Sequence, residues 1–241
     1  ADGRGSHAEV EAGVKRVIAQ GLPIKSIAVI DPLNVRLLPD SFDHLRSIGL
    51  KDMSMNVNYE ADWDEPAREL FADAVERLAD RYIKAYRQGG GFKLNLLDSK
   101  IITHVKMGFS CADLCDFGCQ EIAVSPSGKL YPCDRLIGED TRDDVIIGTV
   151  FDGVDPVRRD ALIANKNSVL DECADCDIVG RCMHWCGCVN YAMTGSVGDV
   201  SGLLCWFEQT IVKAADRAAE TLYSEKNPAF VKRFYAKHLR K

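Results

Sequence analysis

The stretch CADCDIVGRCMHWCGC, residues 173–188, places five cysteines within sixteen residues. The chain has ten cysteines in all, and none of them precedes position 111. The N-terminus has no hydrophobic region of the kind found in secretory signals. We therefore predict a cytoplasmic protein, in which thiols stay reduced and a cysteine cluster binds metal or does redox chemistry rather than forming disulfides.

Composition excludes two classes of partner. No segment approaches the roughly 18 consecutive apolar residues that a membrane-spanning helix needs. The formal net charge of -6 provides no overall basic field for nucleic acid, although the last ten residues are locally basic. We predict no membrane partner and no nucleic-acid partner, and we interpret the basic terminus first as the solvated end of a helix.

Residues 1–108 alternate helical and extended patterns. Strands are predicted at 24–30, 53–59 and 92–97, and a long helix begins after Asp64 and ends at the glycines 89–91. This alternation is typical of parallel strands joined by crossover helices. Because the chain opens on a helix with no strand before it, we expect the N-terminal part of a larger sheet or barrel to be absent from this chain. Polar residues at or near the predicted strand ends would line the mouth of such a barrel: Asp31, Asn34, Asn56, Asn58 and Asp62.

The second half of the chain differs in character, because all ten cysteines fall between positions 111 and 205. Helices there are short and turn residues are frequent. The segment 121–133 predicts a hairpin that turns at Pro126, Ser127 and Gly128. After Cys205 an amphipathic helix closes the chain.

Cysteine spacing predicts two four-ligand sites. Cys173, Cys176 and Cys182 can reach one site, with Cys205 as a candidate fourth ligand. The hairpin brings three further thiols together, and Cys186 could complete that second set; these three are Cys115, Cys119 and Cys133. Thiolates of this kind bind iron-sulfur clusters or zinc, and the spacing leaves both open.

The full set of spacings resembles the seven-cysteine signature of the SPASM domain. The match runs Cys115-x12-Gly128-x4-Cys133, then Cys173-x2-Cys176-x5-Cys182-x3-Cys186, then Cys205. That domain is the C-terminal auxiliary-cluster module of radical S-adenosylmethionine (SAM) enzymes that modify peptides and proteins. The resemblance implies an α/β fold with three parts. These are the C-terminal half of a partial (β/α)6 barrel at 1–108, a small cysteine-rich α+β SPASM domain at 109–206, and a C-terminal helical segment at 207–241.

The resemblance also implies two auxiliary [4Fe-4S] clusters. Its near cluster would use Cys115, Cys119, Cys133 and Cys186, with Cys119 the least determined of the four. Its far cluster would use Cys173, Cys176, Cys182 and Cys205. Cys111 and Cys188 lie outside the signature and stay unassigned as alternative ligands, a redox pair or bystanders. Arg4 and Ser6, in a loop similar to one in the middle of the radical SAM barrel, are candidate SAM contacts.

One part of the family pattern is missing. The CxxxCxxC motif, which binds the third [4Fe-4S] cluster that cleaves SAM, does not occur in this chain. We therefore expect this chain alone not to cleave SAM. The function implied is the iron-sulfur portion of a radical SAM peptide maturase, whose auxiliary clusters accept electrons or bind substrate while an oxidative crosslink forms. Its partners would be a peptide or protein substrate and an electron carrier such as ferredoxin or flavodoxin. The alternatives are an iron-sulfur electron-transfer or structural module, and a zinc-bound interaction module.

Overall fold

The computed structural model describes residues 5–110, 113–168 and 170–236. The chain divides into two compact units. The first takes the residues up to 105 together with those from 210 onward, and the second takes residues 106–209.

The first unit is built on a parallel three-stranded sheet. Its strands are β1 (Ser26–Ile30), β2 (Asp52–Val57) and β3 (Lys93–Leu94), in the order β1-β2-β3. Four helices alternate with them: α1 (His7–Ala19), α2 (Leu38–Ser47), α3 (Glu65–Arg87) and α4 (Asn95–Lys106). Asp64 caps α3 as its carboxylate accepts a hydrogen bond from the amide of Ala67 at 2.9 Å. Helices between parallel strands are the architecture that the alternating pattern predicts.

The third strand is much shorter than the predicted 92–97, because α4 begins at Asn95. Side chains take over the hydrogen bonds that a longer strand would have made. The amide of Met55 on β2 donates to the side-chain oxygen of Asn95 at 2.7 Å, and the amide of Leu94 donates to Asp98 at 2.9 Å. The prediction of a strand is therefore wrong from Asn95 onward, where the side chains of Asn95 and Asp98 accept hydrogen bonds in place of backbone pairing.

An aromatic cluster forms the core of this unit. Tyr82 and Tyr86 of α3 have ring centroids 4.9 Å apart, and Phe92 packs at 5.4 and 5.0 Å from them. Two C-terminal helices join it: α8 (Gly202–Ser224), whose later residues belong to this unit, and α9 (Pro228–Phe234). Phe230 of α9 meets the ring of Tyr86 edge-on at 5.5 Å. This burial anchors the C-terminal helices to α3.

The second unit contains an antiparallel sheet of four short strands. They are β4 (Ala123–Val124), β5 (Lys129–Tyr131), β6 (Gly148–Thr149) and β7 (Gly153–Val154), in sequence order. The predicted hairpin is the β4-β5 pair, and Gly128 in its turn has a φ of +84°. Helices α5 (Pro156–Lys166), α6 (Asp171–Ala174) and α7 (Gly187–Thr194) follow, and the first residues of α8 close the unit.

Gly148 on β6 is the tightest glycine of this sheet. Its φ is +145°, and a Cβ added there would lie 2.1 Å from the carbonyl oxygen of Gly153. We expect Gly148→Ala to lower the free energy of unfolding by about 1–3 kcal/mol from backbone strain alone. The clash of the new Cβ with the carbonyl of Gly153 should lower it further. Gly153→Ala, where a Cβ meets nothing within 4 Å, is the matched control for the positive φ alone. Urea unfolding followed by circular dichroism measures both, and equal losses would contradict the steric argument.

Among the residues that the structure describes, no helix has the length and apolar character needed to cross a membrane.

Candidate metal centres

Three buried thiols meet where the hairpin packs against α7, and we call Cys133, Cys186 and Cys188 the near group. The Sγ atoms of Cys186 and Cys188 lie 3.4 Å apart, and Cys188 is also hydrogen-bonded to Cys133. The three residues are 8%, 9% and 8% exposed, in the order Cys133, Cys186, Cys188. Shielded thiols are donors of the type that a thiophilic metal centre prefers.

Local sequence explains why these thiols converge. Cys186 is the N-cap residue of α7, so Cys188 in its first turn returns towards it. Gly187 separates them, and a Cβ there would lie 3.2 Å from both the Cγ atom of Lys166 and the ring of Phe117. The Cys-Gly-Cys sequence is therefore favoured by packing, since a larger residue at Gly187 would have to push these two side chains back by a few tenths of an ångström.

Hydrogen bonds among the thiols shift their pKa values in opposite directions. The bond with Cys188 lowers the pKa of Cys186 and raises that of Cys133. The Cys133 bond lowers the pKa of Cys188, but the Cys186 bond and burial outweigh it and raise that pKa to about 12. Cys186 is thus the thiol of the near group that the protein favours as a thiolate, the form that binds metal.

The other hairpin cysteines lie differently. Cys115 is exposed but close enough to Cys186 for its charge to affect the pKa of that thiol. Cys119 is exposed, its amide donates to the carbonyl of Asp116 at 2.8 Å, and no thiol contact is found for it within the described residues. Cys111 lies outside the described residues.

A second set of thiols, the far group, comprises Cys173, Cys176, Cys182 and Cys205. Cys173 and Cys176 share one turn, in which the amide of Cys176 donates to the carbonyl of Cys173 at 3.2 Å. Cys182 ends a separate turn, in which its amide donates to the carbonyl of Val179 at 3.3 Å. Cys205 lies in the first turns of α8, where burial and the charges of Cys173 and Cys176 raise the pKa of its thiol. Cys205 therefore lies within electrostatic reach of Cys173 and Cys176, and its role as a ligand stays a prediction.

The donors fit both candidate metals by chemical type. Thiolates are soft ligands, and each group offers enough sulfur for one four-ligand site when Cys115 is counted with the near group. The stretch 182–188 contributes to both, since Cys182 belongs to the far group whereas Cys186 and Cys188 belong to the near group.

Polar side chains also meet at the carboxyl ends of β1 and β2. The amide of Asn58 donates to the carboxylate of Asp31 at 3.2 Å, and the amide of Asn95 donates to Asn56 at 2.7 Å. Asn34 donates to the carbonyl of Val29 at 3.1 Å, and Asp62 joins neither pair. In parallel α/β folds this edge carries the reactive site.

No observed hydrogen bond links the two candidate SAM contacts to this edge of the sheet. Arg4 lies outside the described residues. Ser6 is the exposed N-cap residue of α1, and its side chain makes no capping hydrogen bond.

Sequence reasoning misses two residues of these sites. Asn95 is predicted to lie within the strand 92–97. Only the position of Asn95 near the end of that strand could have indicated that it is a site residue. The seven-cysteine signature omits Cys188, although the Cys-Gly-Cys spacing is visible in the chain. A glycine between two cysteines at the start of a helix is the available signal.

Comparison with known proteins supports the fold and the resemblance. No family model matches the chain. The PqqA peptide cyclase of Gluconobacter oxydans (strain 621H) is 21% identical over 203 residues, which cover 81% of this chain and 55% of that protein. Among solved structures, native anSMEcpe with bound AdoMet has a TM-score of 0.69 at 16% identity, covering 90% of this chain and 61% of that one. Native anSMEcpe with bound AdoMet and Kp18Cys peptide has a TM-score of 0.68 at 14% identity, covering 91% and 63%.

The chain spans less than two thirds of the length of each of these relatives. The match nevertheless extends over most of this chain, through both of its units. The comparisons confirm the predicted resemblance to radical S-adenosylmethionine enzymes that modify peptides, and the chain shares their α/β fold.

Proposed function

We propose that this chain is the iron-sulfur portion of a radical SAM peptide-modifying enzyme and holds two auxiliary clusters. The observation that supports this proposal is the contact of Cys188 with both Cys186 and Cys133, and a far set is supported by the charges of Cys173 and Cys176 that act on Cys205. We retain the division into the second half of a partial barrel, a SPASM domain and a C-terminal helical segment as part of the proposal.

The proposed near set follows the contacts among the buried thiols, and the proposed far set follows the resemblance. The far centre takes Cys173, Cys176, Cys182 and Cys205. The near centre takes Cys115, Cys133 and Cys186, and we propose Cys188 as its fourth ligand, because it is buried and bonded to two of the three. Cys119, the fourth ligand implied by the resemblance, is the competing choice for this position.

The residues of this chain would hold, shield and tune these centres. Clusters with cysteine ligands span about −700 to +450 mV, so a bound pair could accept the electron released when a peptide crosslink forms. Burial of Cys133, Cys186 and Cys188 excludes water from the near centre, and burial and hydrogen bonding set the potential of a bound cluster.

The rest of the proposed activity concerns the whole enzyme. The substrate is a peptide or protein, and ferredoxin or flavodoxin is the proposed electron carrier. This chain lacks CxxxCxxC, so we expect it to produce no 5′-deoxyadenosine from SAM by itself. Arg4 and Ser6 remain proposed SAM contacts, and the cytoplasm remains the proposed location.

Anaerobic reconstitution with iron and sulfide tests the proposal. We expect about eight irons and about eight sulfides per chain, with the EPR and Mössbauer signatures of two cubane clusters. Fewer than about four irons per chain would contradict it. If the protein is instead a simple electron-transfer module that binds iron, its reading frame should contain no CxxxCxxC motif upstream of this chain.

One distance favours a second candidate, a zinc-bound interaction module. Two thiolates on one tetrahedral zinc with bonds of about 2.3 Å lie about 3.8 Å apart. The Cys186–Cys188 separation of 3.4 Å is close to this value. About two zinc ions per chain after anaerobic purification, with negligible iron and sulfide, would establish this candidate and exclude the clusters.

A further inference from the structure

A cavity of about 410 Å³ lies in the second unit, beside the far group. Its wall combines apolar surface with a small number of polar groups, which is typical of a site for a small molecule or a single side chain. The lining includes Leu170 and Trp185 on the apolar side, Lys166, Ser168 and His184 on the polar side, and Cys173.

Lys166, at the end of α5, is the unusual member of this wall. The residue is only 8% exposed, yet among the described residues its ammonium donates only to the side-chain oxygen of Asn167, at 3.1 Å. The ring of Phe117 lies 5.8 Å away, and no carboxylate within the described part of the chain forms an ion pair with Lys166. A buried cation without a counter-ion is unfavourable, so this position favours an anion supplied from outside the chain.

A further polar atom near the cavity adds to this. The indole Nε1 of Trp185 is buried and has no hydrogen-bond partner in residues 5–110, 113–168 or 170–236. An indole N–H can only donate, so Trp185 is a second group here that requires a hydrogen-bond acceptor. Both observations indicate a ligand with acceptor oxygens and negative charge.

We propose that this cavity binds a carboxylate, namely an acidic side chain of the peptide substrate, with Lys166 as its counter-ion. The inference rests on the proposed function, from which it takes the peptide nature of the substrate. Binding would place the acidic residue beside Cys173, and the apolar wall would contact its methylene groups. The site thus selects peptides that carry glutamate or aspartate.

Calorimetric titration of the anaerobically reconstituted full chain tests this. The probes are the peptides Gly-Glu-Gly and Gly-Gln-Gly, blocked at both ends, which differ only in charge. We expect the glutamate peptide to bind at least about tenfold more tightly, the size of one hydrogen bond to a charged group. Lys166→Met should abolish this preference, and Lys166→Arg should keep most of it. Lys213→Met, at an exposed lysine of α8, is the matched control and should leave it unchanged.

Two outcomes would overturn the inference. Equal affinity of the original chain for both peptides would do so without any variant. A Lys166→Met chain that keeps the preference while its cluster potential shifts would show that Lys166 balances the charge of the cluster instead. Iron and sulfide are counted in the same samples, so a chain with about eight irons and no preference refutes the cavity alone. A chain that binds zinc and no iron refutes the proposed function.

Discussion

Cys186→Ala is expected to remove the near centre and leave the far one in place. Iron per chain after reconstitution should fall from about eight to about four, with a matching loss of sulfide. The reason is that Cys186 bonds to Cys188 and is the near-group thiol favoured as a thiolate, whereas the four far-group thiols do not include it. Metal analysis with Mössbauer spectroscopy measures the change, and loss of the far centre alone would show that the assignment of Cys186 is wrong.

Two matched variants identify the fourth near ligand. Cys188→Ala should reproduce the loss seen for Cys186→Ala, because Cys188 is buried and bonded to Cys133 and Cys186. Cys119→Ala should keep about eight irons, since no thiol contact is found for Cys119 in the described part of the chain. The reverse result, with Cys119 essential and Cys188 dispensable, would restore the ligand set that the resemblance implies.

Asp98→Ala is expected to cause the largest loss of stability in the first unit, about 3–5 kcal/mol. Asp98 is 4% exposed and accepts hydrogen bonds from the hydroxyl of Tyr82 at 2.6 Å and the amide of Leu94 at 2.9 Å. It also pairs with Arg233 of α9. Burial and the Asp98 charge raise the pKa of Tyr82, which therefore stays a hydroxyl donor. The substitution would leave a phenol and an amide without their acceptor, and among the described residues the Arg233 guanidinium would keep only the carbonyl of Phe92.

Asp80→Ala is the control for Asp98→Ala. Asp80 also pairs with an arginine, Arg217 at 2.8 Å, but its side chain is 66% exposed. Because solvent screens such a pair, its loss should cost less than about 1 kcal/mol. Urea unfolding monitored by circular dichroism compares the two, and equal losses would mean that Asp98 does not hold α9 to the sheet.

The sequence by itself determined the general architecture of this protein and the type of ligand atom that its candidate sites offer. Hydrophobic periodicity predicted alternating strands and helices, because side-chain spacing on a strand or helix is local. The cysteine spacing predicted thiolate centres and the resemblance to radical SAM enzymes, because the ligand type and the short distances between cysteines along the chain can be read directly from the sequence. The CxxC pair of Cys173 and Cys176 and the hairpin that carries Cys133 needed no tertiary information.

Only the tertiary structure decided which distant groups meet. Asn95 ends the third strand because its side chain accepts from Met55, 40 residues away. Cys188 joins Cys133 because α7 can pack closely at Gly187, a contact that depends on Lys166 and Phe117. Lys166 becomes a buried cation beside a cavity only when α5 is folded against the segment that carries Trp185. Local patterns specify the donors and the elements, whereas long-range packing decides their partners, and no spacing rule in the chain encodes those contacts.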